Sequence, residues 1–425
     1  LESRFPVRGT IPSRSVTSSM PEQQNSRIFL LIFLAALAAF GPFVTDFYLP
    51  TFPEQTRDFG AAPSAVQLGL STTMWGLAVG QLLVGPLSDQ SGRKKPLAGC
   101  LLIFAISTAF AAAAPSIELF LVMRFLEGLG ASGAIVMSRS IAADRYTGRE
   151  LGSFMGVMGS IQGIAPVTAP LLGALIADFA GWRGIFWLMF AAGIVLLALT
   201  VFALRETLPR AQTLKTKERT PETVRTSAGI LFCDPIFIAI VLQQFLASCV
   251  LFGHISSSPF IFRGHFGLSS ELYGLTFGGM ALAITLGAAV SGRLASPLKA
   301  IHLGAAGMLA SSLLLALVFS FDTSLFPTLI CYVFVLTSLG LTLPAAMTAA
   351  LTLHRARAGF AAAILGSVTF IGGGIIAPFT AMGDARLCVS IIFIASSFLL
   401  VLVSFWLSRR MKLEDAQGTA IPLKD

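Results

Sequence analysis

Three ionisable residues of this 425-residue chain, Asp46, Arg124 and Glu127, lie inside long apolar stretches. A charge near the centre of a bilayer costs roughly 2.5–3.5 kcal/mol on insertion scales, so such residues face a protein interior and mark functional positions by default. Arg124 and Glu127, three residues apart, share one face of a helix. Asp46 lies 18 residues beyond Ile28, about 27 Å along a helix rising 1.5 Å per residue. Arg124, on a helix running the other way, lies about 7 Å from its edge, counted from Leu119 or Phe120. In a core of about 30 Å these depths agree within a turn, so an Asp46–Arg124 ion pair is geometrically possible. Two acids sharing one buried cation titrate as a coupled set, which suits reversible proton uptake and release. The bland alternative is that the three groups only staple helices together. Arg139 stays outside the set, because near a helix end its long side chain can reach water.

The elements that must hold these residues follow from composition. Hydrophobic residues make up 55% of the chain, charged residues 12%, and the mean hydropathy is +0.81, too apolar for a soluble globule of this length. The chain reads as an all-α integral membrane protein. Twelve apolar stretches can each span a bilayer: 28–50, 64–87, 95–114, 119–142, 151–177, 184–204, 232–262, 272–295, 300–320, 326–352, 358–383 and 386–408. They are called spans 1 to 12 below.

Basic residues set the expected orientation. Arg93, Lys94, Lys95, Arg145, Arg149 and the run from Arg205 to Arg225 follow even-numbered spans, as do Arg293, Lys299, Arg355, Arg357, Arg409, Arg410, Lys412 and Lys424. The opposite loops hold only Arg57, Arg183, Arg263 and Arg386. The positive-inside bias therefore places both termini in the cytoplasm. The net charge of +8 reflects this topology, and no basic stripe with interleaved aromatics points to nucleic acid.

The expected organisation is a cytoplasmic tail over 1–26, a six-helix bundle over 27–204, a cytoplasmic linker over 205–230, a second bundle over 231–408 and a tail over 409–425. Met20 is the expected natural start, and the first apolar run leads directly into a second span rather than a cleavage site. The linker is Thr-rich and basic, with Pro209 and Pro221. The five cysteines, Cys100, Cys233, Cys249, Cys331 and Cys388, are scattered without metal or redox spacing and read as buried apolar thiols.

Internal repetition supports two related halves. Ile164-Ala-Pro-Val-Thr-Ala169 and Ile376-Ala-Pro-Phe-Thr-Ala381 differ at one position and lie 212 residues apart. Gly128-Leu-Gly130 aligns with Ser338-Leu-Gly340 at 210, Pro50 with Pro259 at 209, and Gly85-Pro-Leu87 with Gly292-Arg-Leu294 at 207. At these offsets Asp46, Arg124 and Glu127 correspond to Ile255, Phe334 and Thr337, so the charges belong to the first half alone. Duplicated bundles typically rock about a site at their interface, opening it to each side in turn.

The loop Gly85-Pro-Leu-Ser-Asp89-Gln-Ser-Gly92-Arg93-Lys94-Lys95-Pro-Leu97 resembles the signature loop of the major facilitator superfamily. Arg124-Phe-Leu-Glu127-Gly128 is similar to the span 4 motif of its proton-coupled drug exporters, departing from it at Glu127, where Gln is commoner. The span 5 pattern Gly159, Gly163, Pro166, Pro170 and Gly173 resembles the antiporter motif. Asp46-Phe-Tyr-Leu-Pro50 resembles a segment of the Bcr/CflA (bicyclomycin and chloramphenicol resistance) group of twelve-helix drug/proton antiporters. The resemblance covers about residues 27–408. It implies the two-bundle major facilitator fold and export of small, mostly apolar drugs, such as phenicols or bicyclomycin, in exchange for protons across a bacterial inner membrane. The proton gradient supplies the energy; no cofactor or metal is implied, and the expected working unit is a monomer.

Each motif also has a physical reading. Gly85, Asp89, Gly92, Arg93 and Lys94 can latch neighbouring helix ends by charge and dipole. Pro166 and Pro170 stiffen span 5 with a fixed bend, whereas Gly372 to Gly374 leave span 11 free to hinge. Substrate contacts are expected from Tyr48, Trp75, Gln81, Gln244, Phe245, Tyr332 and Phe334, with Gln243 beside them. Phe334 is expected to point inward as the counterpart of Arg124. His254 reads as a packed residue. Gly128-x-Gly130-x-x-Gly133 matches the dinucleotide fingerprint by letter only and reads as close helix packing. A transporter of a specific metabolite would share the fold, a non-transporting sensor would not need Asp46 and Arg124, and an enzyme lacks any paired nucleophile or metal spacing.

Overall fold

The computed structural model describes residues 27–146, 148–207, 231–294, 296–321, 324–354 and 358–416. The expected N-terminal tail and most of the linker, 208–230, lie outside them. Among the described residues the chain is all-helical, and eleven helices are long and apolar enough to cross a membrane. One of these, Ile164–Ala203, has 40 residues, twice what a bilayer needs. It holds spans 5 and 6, which the chain separates at Gly181, where φ is 63°. Only a residue without a Cβ takes that turn without strain.

Span 1 is Arg27–Asp46, span 2 Pro63–Ser91, span 3 Lys94–Ala112 and span 4 Ile117–Arg145. A 3-10 turn, Leu49–Thr51, and a short helix, Phe52–Phe59, cap the first span before Gly60 reverses the chain with φ 59°. Spans 7 to 10 are Pro235–Ser258, Ser270–Ser291, Pro297–Ser320 and Leu325–Leu353. Span 11, Ala358–Ile376, tightens into a 3-10 turn, Ala377–Ala381, and span 12 is Ala385–Ala416. Local chemistry starts several of these helices. Ser116, Asp234 and Ser269 accept backbone N–H groups of the first turns of spans 4, 7 and 8, satisfying donors the helix itself leaves orphaned.

Small residues let the spans approach closely. A Cβ on Gly128 would lie 2.0 Å from the carbonyl oxygen of Thr73, one on Gly130 2.6 Å from that of Cys100, and one on Gly133 2.4 Å from Cys100 Cβ. The Gly128–Gly133 run is thus a packing face against spans 2 and 3. In the second half a Cβ on Gly287 would lie 2.0 Å from the Thr337 carbonyl oxygen and one on Gly340 2.1 Å from that of Ile284. These close approaches mirror those of Gly76 to the Phe125 carbonyl and of Gly128 to that of Thr73. The structural register of spans 4 and 10 is therefore 212, that of the Ile-Ala-Pro repeat, and not 210. Spans 2 and 8 correspond at 211, so the Gly85/Gly292 match at 207 is not a packing equivalence.

That register corrects the expectation for Phe334. It is 59% exposed and equivalent to Val122, which is 55% exposed; with Phe326, Ile330 and Val333 it forms an outer stripe of span 10. The true counterparts of Arg124 and Glu127 are Leu336 and Leu339, both fully buried. The charges still belong to the first half alone. The thiols differ in part from expectation: Cys100, Cys249 and Cys331 are buried, but Cys233 is exposed and Cys388 half-buried.

Candidate functional site

Asp46, Arg124 and Glu127 are all buried, as their types in an apolar chain require, but only one of the two acids pairs with the cation. Arg124 Nη1 donates to Glu127 Oε2 at 2.6 Å, and its Nη2 donates to the carbonyl oxygen of Val44 at 2.8 Å. The guanidinium also lies over the Tyr48 ring, 4.3 Å from its centroid, and 5.3 Å from that of Phe186. Asp46 makes no ion pair among the described residues, and its Oδ1 has no hydrogen-bond partner. Depth along a helix does not fix which way a side chain faces, and Glu127, on Arg124's own helix face, needs no second helix to be placed. Arg124 reaches span 1 through a backbone carbonyl two residues before Asp46.

The wall around this group is aromatic. Tyr48 packs on Phe52 and Phe186, and Phe186 packs edge-on against Phe120 and Trp182. Rings exclude water and present negative faces to the guanidinium, which strengthens its electrostatics. Tyr48 is fully buried, so it closes over Arg124 instead of lining an open cavity. Tyr332 likewise sits inside the second half, packed with His254, Phe262 and Phe393. His254 is buried and stacked on Phe277.

The remaining expected substrate contacts converge on span 11. A Cβ on Gly374 would meet Trp75 Nε1 at 2.3 Å, one on Gly366 would meet Gln81 Oε1 at 2.9 Å, and one on Gly372 would meet the Phe245 ring at 3.2 Å. Gln244 Nε2 donates to Thr369 Oγ1 at 2.9 Å. Trp75 and Gln81 belong to the first half, Gln244 and Phe245 to the second, so span 11 is the seam between them. The glycine run forms a notch at this seam: a Cβ on Gly373 would lie 2.3 Å from the Phe252 ring and 2.7 Å from Met74 Sδ. Gln243 is fully buried with neither amide atom partnered.

In span 5 the helix passes Pro166 and Pro170 without a non-helical residue. Gly173 lies against span 1, where a Cβ would come within 1.8 Å of the Phe47 carbonyl oxygen. Gly159 and Gly163 lie on the same helix.

The latch loop is a charged cluster at the Gly92 end of the bundle. Arg93 pairs with Asp89 at 2.5 Å and with Asp144, in the last turn of span 4, at 2.9 Å, and donates to Ser88 at 2.8 Å. Glu206, after span 6, accepts the backbone N–H groups of Arg93 and Lys94 at 2.8 and 3.2 Å, a carboxylate at the positive end of span 3. Gly92 adopts φ 88° with Glu206 against it. Asp144 and Glu206 were missed in the sequence; their only signal is that they are acids among clustered bases. At the opposite end, Asp58 accepts from Trp182 Nε1 at 2.9 Å and Arg183 Nη1 at 2.7 Å. These bonds, Trp182 first, hold the Asp58 carboxyl below its ordinary value.

The described residues form a duplicated, helical membrane fold with a buried charged pair in the first half, and comparison with known proteins gives the family. The profile of the Major Facilitator Superfamily matches residues 28–378, and the chain belongs to that family. It is 34% identical over 368 residues to the MFS-type transporter YdgK of Bacillus subtilis, covering 85% of this chain and 90% of that one. It is 29% identical over 382 residues to the multidrug resistance protein MdtL of Escherichia coli, covering 88% and 95%. A bacterial homologue of the human lysosomal transporter Spinster, solved inward-facing and occupied, superposes with a TM-score of 0.72 at 20% identity, covering 90% of this chain and 97% of that one. The D-xylose-proton symporter does so at 0.69 and 16%, covering 88% and 97%. The chain is a multi-pass membrane transporter and not an enzyme.

Proposed function

We propose that this chain exports small amphiphilic or apolar drugs, phenicol-like or bicyclomycin-like, in exchange for protons across a bacterial inner membrane. The observation that carries the reading is the separation of roles in the buried site: Arg124 is neutralised by Glu127, and Asp46 is left buried without a cation. A carboxylate in that position is a costly charge, and taking up a proton removes the cost. The same carboxyl shed of its proton is two residues from the Val44 carbonyl that already draws Arg124 to span 1. A small movement of that guanidinium can therefore couple proton binding to helix position. The name of the MdtL relative supports drugs as the cargo, and the Asp46–Pro50 segment supports the Bcr/CflA group.

The excess of Lys and Arg at the Gly92 end supports a cytoplasmic position for that end and for both termini. Contacts between the halves then gather toward the outside: Arg263 Nη1 donates to the Pro50 carbonyl, Phe52 packs on Phe260, and Gly274 and Gly278 meet Leu171 and Val167. The conformation is the one shut to the outside. A susceptibility panel in a pump-deficient bacterium expressing the chain, followed by drug-evoked proton release in everted vesicles, tests the reading. Resistance without proton movement would leave export but remove the coupling; uptake of a metabolite with no resistance would replace the drug reading.

A further inference from the structure

Four buried polar groups bridge the two halves above the glycine notch. Gln67, in the first outer turns of span 2, donates from Nε2 to the carbonyl oxygen of Ser256 in span 7 at 2.8 Å. Its Oε1 lies 3.1 Å from Thr380 Oγ1, in the 3-10 turn that ends span 11, and that hydroxyl is 3.0 Å from Ser256 Oγ. Gln67, Ser256 and Thr380 are all fully buried. We infer that these three residues form a polar lock that holds the outer end of the transport path shut and must break for that end to open. The inference rests on the reading of the chain as an alternating-access transporter.

Donor counting shows why the lock is poised. The Gln67 amide uses one proton on the Ser256 carbonyl and offers one acceptor to Thr380. The Thr380 hydroxyl has a single proton but two acceptors in reach, Gln67 Oε1 and the Ala377 carbonyl at 2.8 Å. Donation to Ala377 is local to span 11 and survives separation of the halves; donation to Gln67 does not. Ser256 then serves as donor to Thr380. One hydroxyl rotation thus exchanges an inter-half bond for a bond within one helix end, leaving no orphaned proton.

Both second-half partners sit where regular α-helix stops. The α-helix of span 7 ends at Ser258 and continues as a wider helical turn, Pro259–His265, because Pro259 offers no N–H to the Ile255 carbonyl. Ser258 Oγ supplies that carbonyl with its bond at 3.0 Å. Thr380 lies in the turn opened by Ala377-Pro378. Segments with interrupted backbone ladders can change conformation without breaking a full helix, as an opening gate requires. Below the lock, apolar contacts of Gly373 and Gly374 with Met74 and Trp75 close the same seam.

The test is the distance between spin labels at Ala62 and Gly383, exposed positions of the two halves, in full-length protein with its native cysteines replaced. The parent should show mainly the short distance. Gln67→Leu and Thr380→Val should each raise the population with the long distance by about two- to tenfold for each hydrogen bond lost. Ser256→Ala keeps the carbonyl acceptor and should do less than either. An unchanged distance distribution in Thr380→Val and Gln67→Leu, both eluting as monodisperse protein, would overturn the lock. Proteoliposome transport separates the two readings. Altered distances in a protein that moves no drug would retain the lock and remove the drug reading. Active export with unaltered distances would do the reverse.

Discussion

Arg124 and Glu127 form a fully buried ion pair of 2.6 Å within one turn of span 4, while Asp46 on the neighbouring span carries no counter-charge. The asymmetry divides labour between two carboxyls of the same type. Glu127 compensates the cation, and Asp46 is free to exchange a proton without first breaking an ion pair.

Asp46→Asn should therefore fold and insert, since the change removes a buried charge, yet lose proton-driven export. Everted vesicles carrying the variant should accumulate drug no better than vesicles lacking the protein. Accumulation against a gradient at the parent level would show that Asp46 is not the main proton carrier.

Glu127→Gln leaves the Arg124 guanidinium buried without its anion, a loss worth about 3–5 kcal/mol when nothing else compensates. The expected outcome is a lower melting temperature together with a changed pH profile of export. A profile identical to the parent, with stability alone reduced, would make Glu127 a structural partner of Arg124.

In the latch, Asp89 is half exposed whereas Asp144 is nearly buried beside Arg93. Removing an exposed partner costs about 0–1 kcal/mol, and removing a charged hydrogen-bond partner that is shielded costs about 1–3 kcal/mol. Asp144→Ala should thus slow transport more than Asp89→Ala, with drug binding retained in both. Binding to purified protein that falls in parallel with transport would argue against a switching role.

The Asp58 clamp gives a pH prediction. Hydrogen bonds from Trp182 and Arg183 lower its affinity for protons below the ordinary value of 3.8. The folded protein therefore holds this proton less tightly than the unfolded chain, and the stabilisation is complete above pH 3.8 and lost as pH falls through the lower folded value. Melting temperature should fall more steeply in the parent than in Asp58→Asn as pH drops below the ordinary Asp value of 3.8, and the two should run parallel above it.

Fold class, span positions and the three buried charges were legible in the sequence because each follows from hydropathy and from the cost of burying charge. Partners were less legible. Rise per residue fixes depth along a helix but not which neighbour a side chain faces, so both acids are expected to share Arg124, whereas only Glu127 pairs with it. A two-residue error in repeat register turned Phe334 from an outer position into an inner one, because 200° of helix separates such positions at about 100° per residue. Gln67, Ser256 and Thr380 carried no signal at all: uncharged polar residues in apolar spans are common, and only packing brings three of them together.

Spans 5 and 11 repeat the same hexapeptide but use glycine differently, and the final prediction separates them. The Gly173 notch is closed by backbone: an added Cβ would stand 1.8 Å from the Phe47 carbonyl oxygen. Neither partner can turn aside, so span 5 would have to leave span 1. The Gly373 notch is closed by the Phe252 ring and the end of the Met74 side chain, at 2.3 and 2.7 Å. A thioether is flexible and a ring can shift, at an overpacking cost of about 1–3 kcal/mol. Gly173→Ala should lower the yield of folded protein sharply, whereas Gly373→Ala should fold, shut the outer end less completely and turn over more slowly. Expression, melting temperature and drug counterflow on both variants decide it: equal loss of folded protein would mean that the span 11 notch is as rigid as that of span 5.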